Sequence, residues 1–183
     1  MNGFAERLSS DAVRFERLLP GPIGRVWSYL VESDKRSQWL AAGEMEPRAG
    51  VSFELLFNNG RLSPGAPAPE RFRHFDKPMA TGHRVLRCDP PRLLAFSWGG
   101  RAEAPSEVTI ELSEEGDKVR LVLTHRRLPA DGSLLTVSGG WHTHLAILAD
   151  RLAGREPPAL WPLFDEMHRA YSERFGAEPA VTG

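Results

Sequence analysis

The chain predicts an α+β fold, a curved antiparallel sheet with one long helix lying across its concave face. Three observations carry that expectation. An alternating strand and a short amphipathic helix come first, a run of alternating strands fills the middle, and a long leucine stripe at helical spacing follows them. Strands grouped together and bracketed by helices favour antiparallel pairing over the βαβ order of a parallel sheet.

Each element has its own pattern. In "DAVRFERLL" Val13 and Phe15 alternate with Arg14 and Glu16, which is the signature of a half-buried strand. After "PGP", the segment "IGRVWSYLV" places Ile23, Val26, Trp27, Leu30 and Val31 at i, i+3, i+4, i+7 and i+8, with Pro22 suited to a first turn. "SDKRSQWL" reads as a shorter helical turn that points Trp39 and Leu40 inward. "VSFELLF" alternates again, with Val51, Phe53, Leu55 and Phe57 on one face. The Pro- and Gly-rich stretch that follows reads as an extended loop, 58–80, and its "RFRHF" as a solvated part of it. "HRVLRC" and "LLAFSW" are strands joined through "DPP". "SEVTIELSEEGDKVRLVLTHR" is a hairpin in which Val108, Ile110 and Leu112 share one face and Val119, Leu121, Leu123 and His125 another. Trp141, Leu145, Leu148 and Leu152 then recur at i, i+4, i+7 and i+11, defining a helix over 137–153. "GREPP" ends it, and Leu160, Phe164, Met167, Tyr171 and Phe175 mark a second helix in the tail. The division expected is a sheet-and-helix domain over 1–156 and a helical extension over 157–183.

Composition narrows the function. The 183 residues are 41% hydrophobic and 26% charged with a net charge of −1, so no basic footprint for nucleic acid is visible. No apolar run approaches the roughly 20 residues of a membrane span. A single cysteine, Cys88, and an N-terminus without a basic-then-apolar leader pattern lead to an expected cytoplasmic location.

These segments, in order, resemble a known family. "PIGRVWSYLVESDKRSQWL", "GHRVLRCDPPRLLAFSWGG", "SEVTIELSEEGDKVRLVLTHRRLP" and "GGWHTHLAILADRL" are similar to proteins related to the C-terminal domain of the activator of Hsp90 ATPase, over roughly residues 12 to 153. The resemblance implies the helix-grip fold of the START-like (SRPBCC) superfamily, in which a sheet wraps a long C-terminal helix and encloses a cavity. Members bind lipids, sterols, polyketides and other apolar ligands, some are cyclases, and the eukaryotic activator is a co-chaperone. Two features depart from the family: there is no room for the activator's additional N-terminal domain, and the 58–80 loop and 157–183 tail are longer.

His142 and His144, two apart on a helix, diverge by about 200° around its axis, so one metal ion cannot take both. Relative to the leucine stripe His144 lies about 70° to one side and His142 about 90° to the other, which predicts a pocket-edge role for His144 and a surface position for His142. His125 continues an apolar strand face and is a candidate polar anchor; His83 shares a face with Val85. No nucleophile elbow, zinc-protease, phosphate-loop or dinucleotide pattern occurs. The expected ligand-binding residues are Phe53, Phe57, Phe96, Trp98, His125, Trp141, His144, Leu145 and Leu148, with no catalytic residue, metal or cofactor assigned. The expected partner is a small hydrophobic or amphipathic ligand held between sheet and long helix. Two alternatives stand beside it. One is a protein-interaction module, an Hsp90-type co-chaperone or a partner of a regulatory protein, docking through the apolar stripe of the tail helix, a stripe that also offers a homodimer contact. The other is a cyclase or hydrolase using a pocket histidine.

Overall fold

In the computed structural model, which describes residues 3–99 and 104–176, seven strands form one antiparallel sheet in the order β1-β2-β7-β6-β5-β4-β3. The strands are β1 (Glu6–Ser9), β2 (Ala12–Pro20), β3 (Ser52–Phe57), β4 (Met79–Asp89), β5 (Leu93–Trp98), β6 (Ser106–Glu115) and β7 (Lys118–Arg126). Helices α1 (Ile23–Val31) and α2 (Ser33–Arg36) connect β2 to the far edge of the sheet, and α3 (Ser133–Leu152) and α4 (Leu160–Phe175) follow the last strand.

The two-residue alternation decides which face becomes the core. On β2 and β7, Val13 pairs with His125 and Phe15 with Leu123; Val13, Phe15, Leu123 and His125 are all fully buried. On β6 the same register buries Val108, Ile110 and Leu112. α3 crosses this face, and Leu145, Ile147, Leu148 and Leu152 join the same core. The helix-grip architecture is therefore present, a curved antiparallel sheet gripping a long helix near the C-terminus.

The elements differ from the sequence reading in four places. β1 has no counterpart in the sequence pattern; it is four exposed residues whose sequence, "ERLS", carries no alternation. β4 begins at Met79, four residues before His83, because Met79 to His83 pair with Phe57 to Phe53 of β3. The segment read as a loop over 58–80 contains two 3-10 helices, Asn59–Leu62 and Glu70–Phe75. Its "RFRHF" is not simply solvated: Phe72 is buried edge-on against Phe164, with ring centroids 4.7 Å apart. α3 starts at Ser133 rather than 137.

The tail forms the expected helix, and it packs on its own chain. Leu160, Phe164, Met167 and Tyr171 are buried in the core that also holds α3 and the sheet. Gly139 permits the close approach of α4, since a Cβ there would meet the His168 backbone nitrogen at 3.3 Å. The stripe that pointed to a homodimer or partner-binding face is thus covered by the chain's own elements.

Candidate ligand pocket

Between the sheet edge, the first half of α3 and the start of α4 lies a cavity of about 370 Å³. Phe57 ends β3 and Trp98 ends β5, so both rings reach its rim from the sheet. Thr136, Val137, Gly140, Trp141, Thr143 and His144 give it one helical wall, and Leu160, Trp161 and Phe164 of α4 another. Asn59 and Phe75 roof it from the 58–78 segment, Leu40 contributes from the turn after α2, and Asp131, Gly132 and Ser133 form its mouth.

Four of the nine expected residues meet here: Phe57, Trp98, Trp141 and His144. The other five do not line the cavity. Phe53 and Phe96 sit one layer behind Trp98, packed edge to face at 5.8 Å. Leu145 and Leu148 have no exposed surface and fill the core. His125, also fully buried, stands behind the wall. Most of the residues missed lie on α3 and the turn that leads into it, and the rest on α4, the 58–78 segment and Leu40; the "LW" at 160–161 was the visible signal for the α4 wall.

His125 holds the wall in place. The Trp141 indole Nε1–H donates to His125 Nδ1 at 3.0 Å. Nδ1 is therefore the acceptor, and Nε2 carries the hydrogen that Ser106 Oγ receives at 2.8 Å. Ser106 Oγ passes its own proton to the Trp98 carbonyl at 3.0 Å. Burial pushes the imidazole pKa down to about 3. Both nitrogens are committed and the serine proton is spent on a carbonyl, so this group orients Trp141 and cannot serve as an acid or base in the cavity.

His144 is different. Its Nδ1–H donates to the Trp39 carbonyl at 2.6 Å, leaving Nε2 as an unprotonated acceptor on the cavity wall. Burial lowers its pKa to about 4, partly opposed by that same hydrogen bond. The carbonyl is positioned by an element the sequence disguised. Arg36, 2% exposed, donates to the carbonyls of Leu30, Val31, Ala41 and Gly43, tying α2 and the following turn together. Trp39 Nε1 adds a bond to Tyr29 O at 2.8 Å.

His142 lies at neither surface nor pocket, which corrects the expected surface position. It is 6% exposed because α4 covers that side of α3. Tyr171 accepts the Ala5 N–H at 2.8 Å and donates its hydroxyl hydrogen to His142 Nδ1 at 2.9 Å. Burial, reinforced by the nearby Arg17 charge, depresses the His142 pKa to about 4. His83 is held likewise, with Nδ1–H on the Ser97 carbonyl, Nε2 receiving Thr81, and its ring stacked on Phe53 at 5.4 Å. Among the described residues no group of three His, Cys, Asp or Glu side chains comes together to hold a metal, and no helix is long and apolar enough to cross a membrane.

Comparison with known proteins agrees with this architecture. The chain is 51% identical to the protein encoded by gene BPP1335 of Bordetella parapertussis, known from a solution NMR structure, with a TM-score of 0.80 over 94% of this chain and 90% of that one. It is 26% identical to CalU16 of Micromonospora echinospora, whose crystal structure superposes with a TM-score of 0.64 over 88% of this chain and 86% of the other. A 74-residue stretch, 39% of the chain, is 42% identical to a Halorhodospira halophila protein named "Putative 4-hydroxy-4-methyl-2-oxoglutarate aldolase", and this match spans only 42% of that protein's length. The family model described as "Activator of Hsp90 ATPase homolog 1-like protein" matches residues 20–153, and with most of its length so covered the chain belongs to that family.

Proposed function

We propose that the protein binds a small apolar or amphipathic molecule in the cavity between β3, β5, α3 and α4. The observation that carries this is the cavity itself: about 370 Å³, walled by Trp98, Trp141, Trp161, Phe57, Phe75 and Phe164, with few polar groups among them. Pockets for small molecules have this size and make-up, with affinity drawn from apolar burial and orientation from sparse polar groups. The partner-docking alternative loses its motive once the α4 stripe is internal. The hydrolase or cyclase alternative retains, among the described residues of the cavity, only His144 and Asp131 as titratable groups, and these are not hydrogen-bonded to each other.

Gly140 provides the test. A Cβ at this position meets nothing closer than Phe164 at 3.9 Å, so Gly140→Leu keeps the helix and fills the hollow. Thermal-shift and native mass-spectrometric screening of apolar and amphipathic compounds should find binders to the wild-type chain that the folded variant no longer retains. Binding that survives Gly140→Leu unchanged places the ligand elsewhere and defeats the reading.

A further inference from the structure

We infer that the polar end of the bound molecule is a protonated amine, carried on an apolar or aromatic body; this rests on the ligand-binding reading above. The polar groups of the cavity are biased toward accepting. At the mouth, Asp131 makes no ion pair among the described residues, and its Oδ1 takes the Ser133 N–H at 3.1 Å and the Ser133 hydroxyl, leaving Oδ2 open. On the roof, the Asn59 Nδ2 donor is taken by Phe75 O at 3.1 Å, and its unpartnered Oδ1 is buried away from the open space. On the wall, His144 turns an unprotonated Nε2 to the space, because its other nitrogen is spent on Trp39.

The donors are mostly consumed. Trp141 Nε1–H goes to His125, and Trp161 Nε1–H goes to Asp76 Oδ1 at 2.6 Å. No lysine or arginine among the described residues lines the cavity. The N-terminus of α3 opens beside the mouth and would ordinarily attract an anion. Here the Asp131 carboxylate already occupies it, so an incoming carboxylate or phosphate meets like charge instead. Aromatic walls add to the same preference, since the electron-rich faces of tryptophan attract cations and not anions.

Three probes sharing one ring system test this on the full chain: 1-naphthylmethylamine, 1-naphthylmethanol and 1-naphthoate, titrated calorimetrically at neutral pH and low salt. The expected order is amine, alcohol, acid, with the amine about fivefold tighter than the alcohol and the acid about tenfold weaker again. Added salt should shrink the amine's advantage and leave the alcohol alone. Asp131→Asn retains a capping oxygen but loses the charge; it should cut the amine-to-alcohol ratio about threefold without changing alcohol affinity. An acid that binds as well as the amine, or an amine-to-alcohol ratio unmoved by Asp131→Asn, overturns the charge preference while the pocket stands. Failure of all three probes to bind removes the pocket reading together with this one.

Discussion

Along α3, Leu145, Leu148 and Leu152 keep no more than 2% of their surface exposed, whereas Thr136, Val137 and Gly140, one to three turns earlier, face a cavity of about 370 Å³. One helix on one sheet has a filled end and a hollow end. At the filled end the side chains are aliphatic and interchange volume freely, so the space closes to native density. At the hollow end the walls are indoles and phenyl rings, and two indoles are pinned by hydrogen bonds to groups behind them, Trp141 to His125 and Trp161 to Asp76. Rigid rings tethered from outside hold a gap open where leucines would collapse into it. A ligand site in this fold therefore depends as much on what anchors the wall as on what lines it.

The largest expected effect breaks the comparison at its filled end. Leu148→Ala should lower unfolding free energy by about 2–5 kcal/mol in denaturant titrations, because a fully buried leucine leaves both transfer and cavity costs behind. Thr136→Ala, at the hollow end, should cost less than about 1 kcal/mol. Equal losses at both positions would show that the hollow end is packed in solution.

The histidines extend the comparison to pH. His142 at the filled side and His144 on the cavity wall are both held near pKa 4, against 6.5 when unfolded, chiefly by burial. The folded state thus binds fewer protons than the unfolded state between pH 6.5 and 4, and stability rises with pH across that window. The contribution is fully present above about pH 6.5 and is lost as pH falls toward 4. For the well-buried His142 it is worth on the order of 3 kcal/mol. Denaturant midpoints measured from pH 4 to 7 should climb, and His142→Gln should remove about one proton's worth of that slope. A flat profile would mean that the ring reaches solvent before the fold opens.

Strands β2 to β7, α1, α3 and α4 were legible because burial on one face writes a period of two or 3.6 into the chain, and the exposed β1 was not. Which side of α3 is covered was not legible. The stripe at Trp141, Leu145, Leu148 and Leu152 locates the sheet, but the cover over His142 comes from α4, whose position depends on the close approach at Gly139. Phe57, Trp98, Trp141 and His144 were found because they end an apolar pattern or sit at its edge. Asn59, Asp131 and Trp161 were not, since each lies in a turn or the tail and only the folding-back of the chain brings them together. Arg36 shows the same limit from the other side: a charged residue in a polar helical turn gives no sign that four carbonyls will surround it.

The smallest effect concerns the roof. Arg71, beside the buried Phe72, reaches Asp165 of α4 at 2.5 Å, and Arg169 shares that carboxylate at 3.2 Å. The Arg71 side chain is half exposed, so the pair is screened and pays side-chain entropy for its geometry. The roof is held mainly by Phe72 against Phe164 and by the Ser63 and Asp76 bonds to Trp161. Asp165→Asn should therefore lower unfolding free energy by less than about 1 kcal/mol, and by less still in high salt. Ligand affinity should be unchanged, because the carboxylate does not line the cavity. A loss above about 2 kcal/mol, or a weakened ligand, would mean that the roof is closed by charge and not by packing, and the hollow end would then depend on ionic strength.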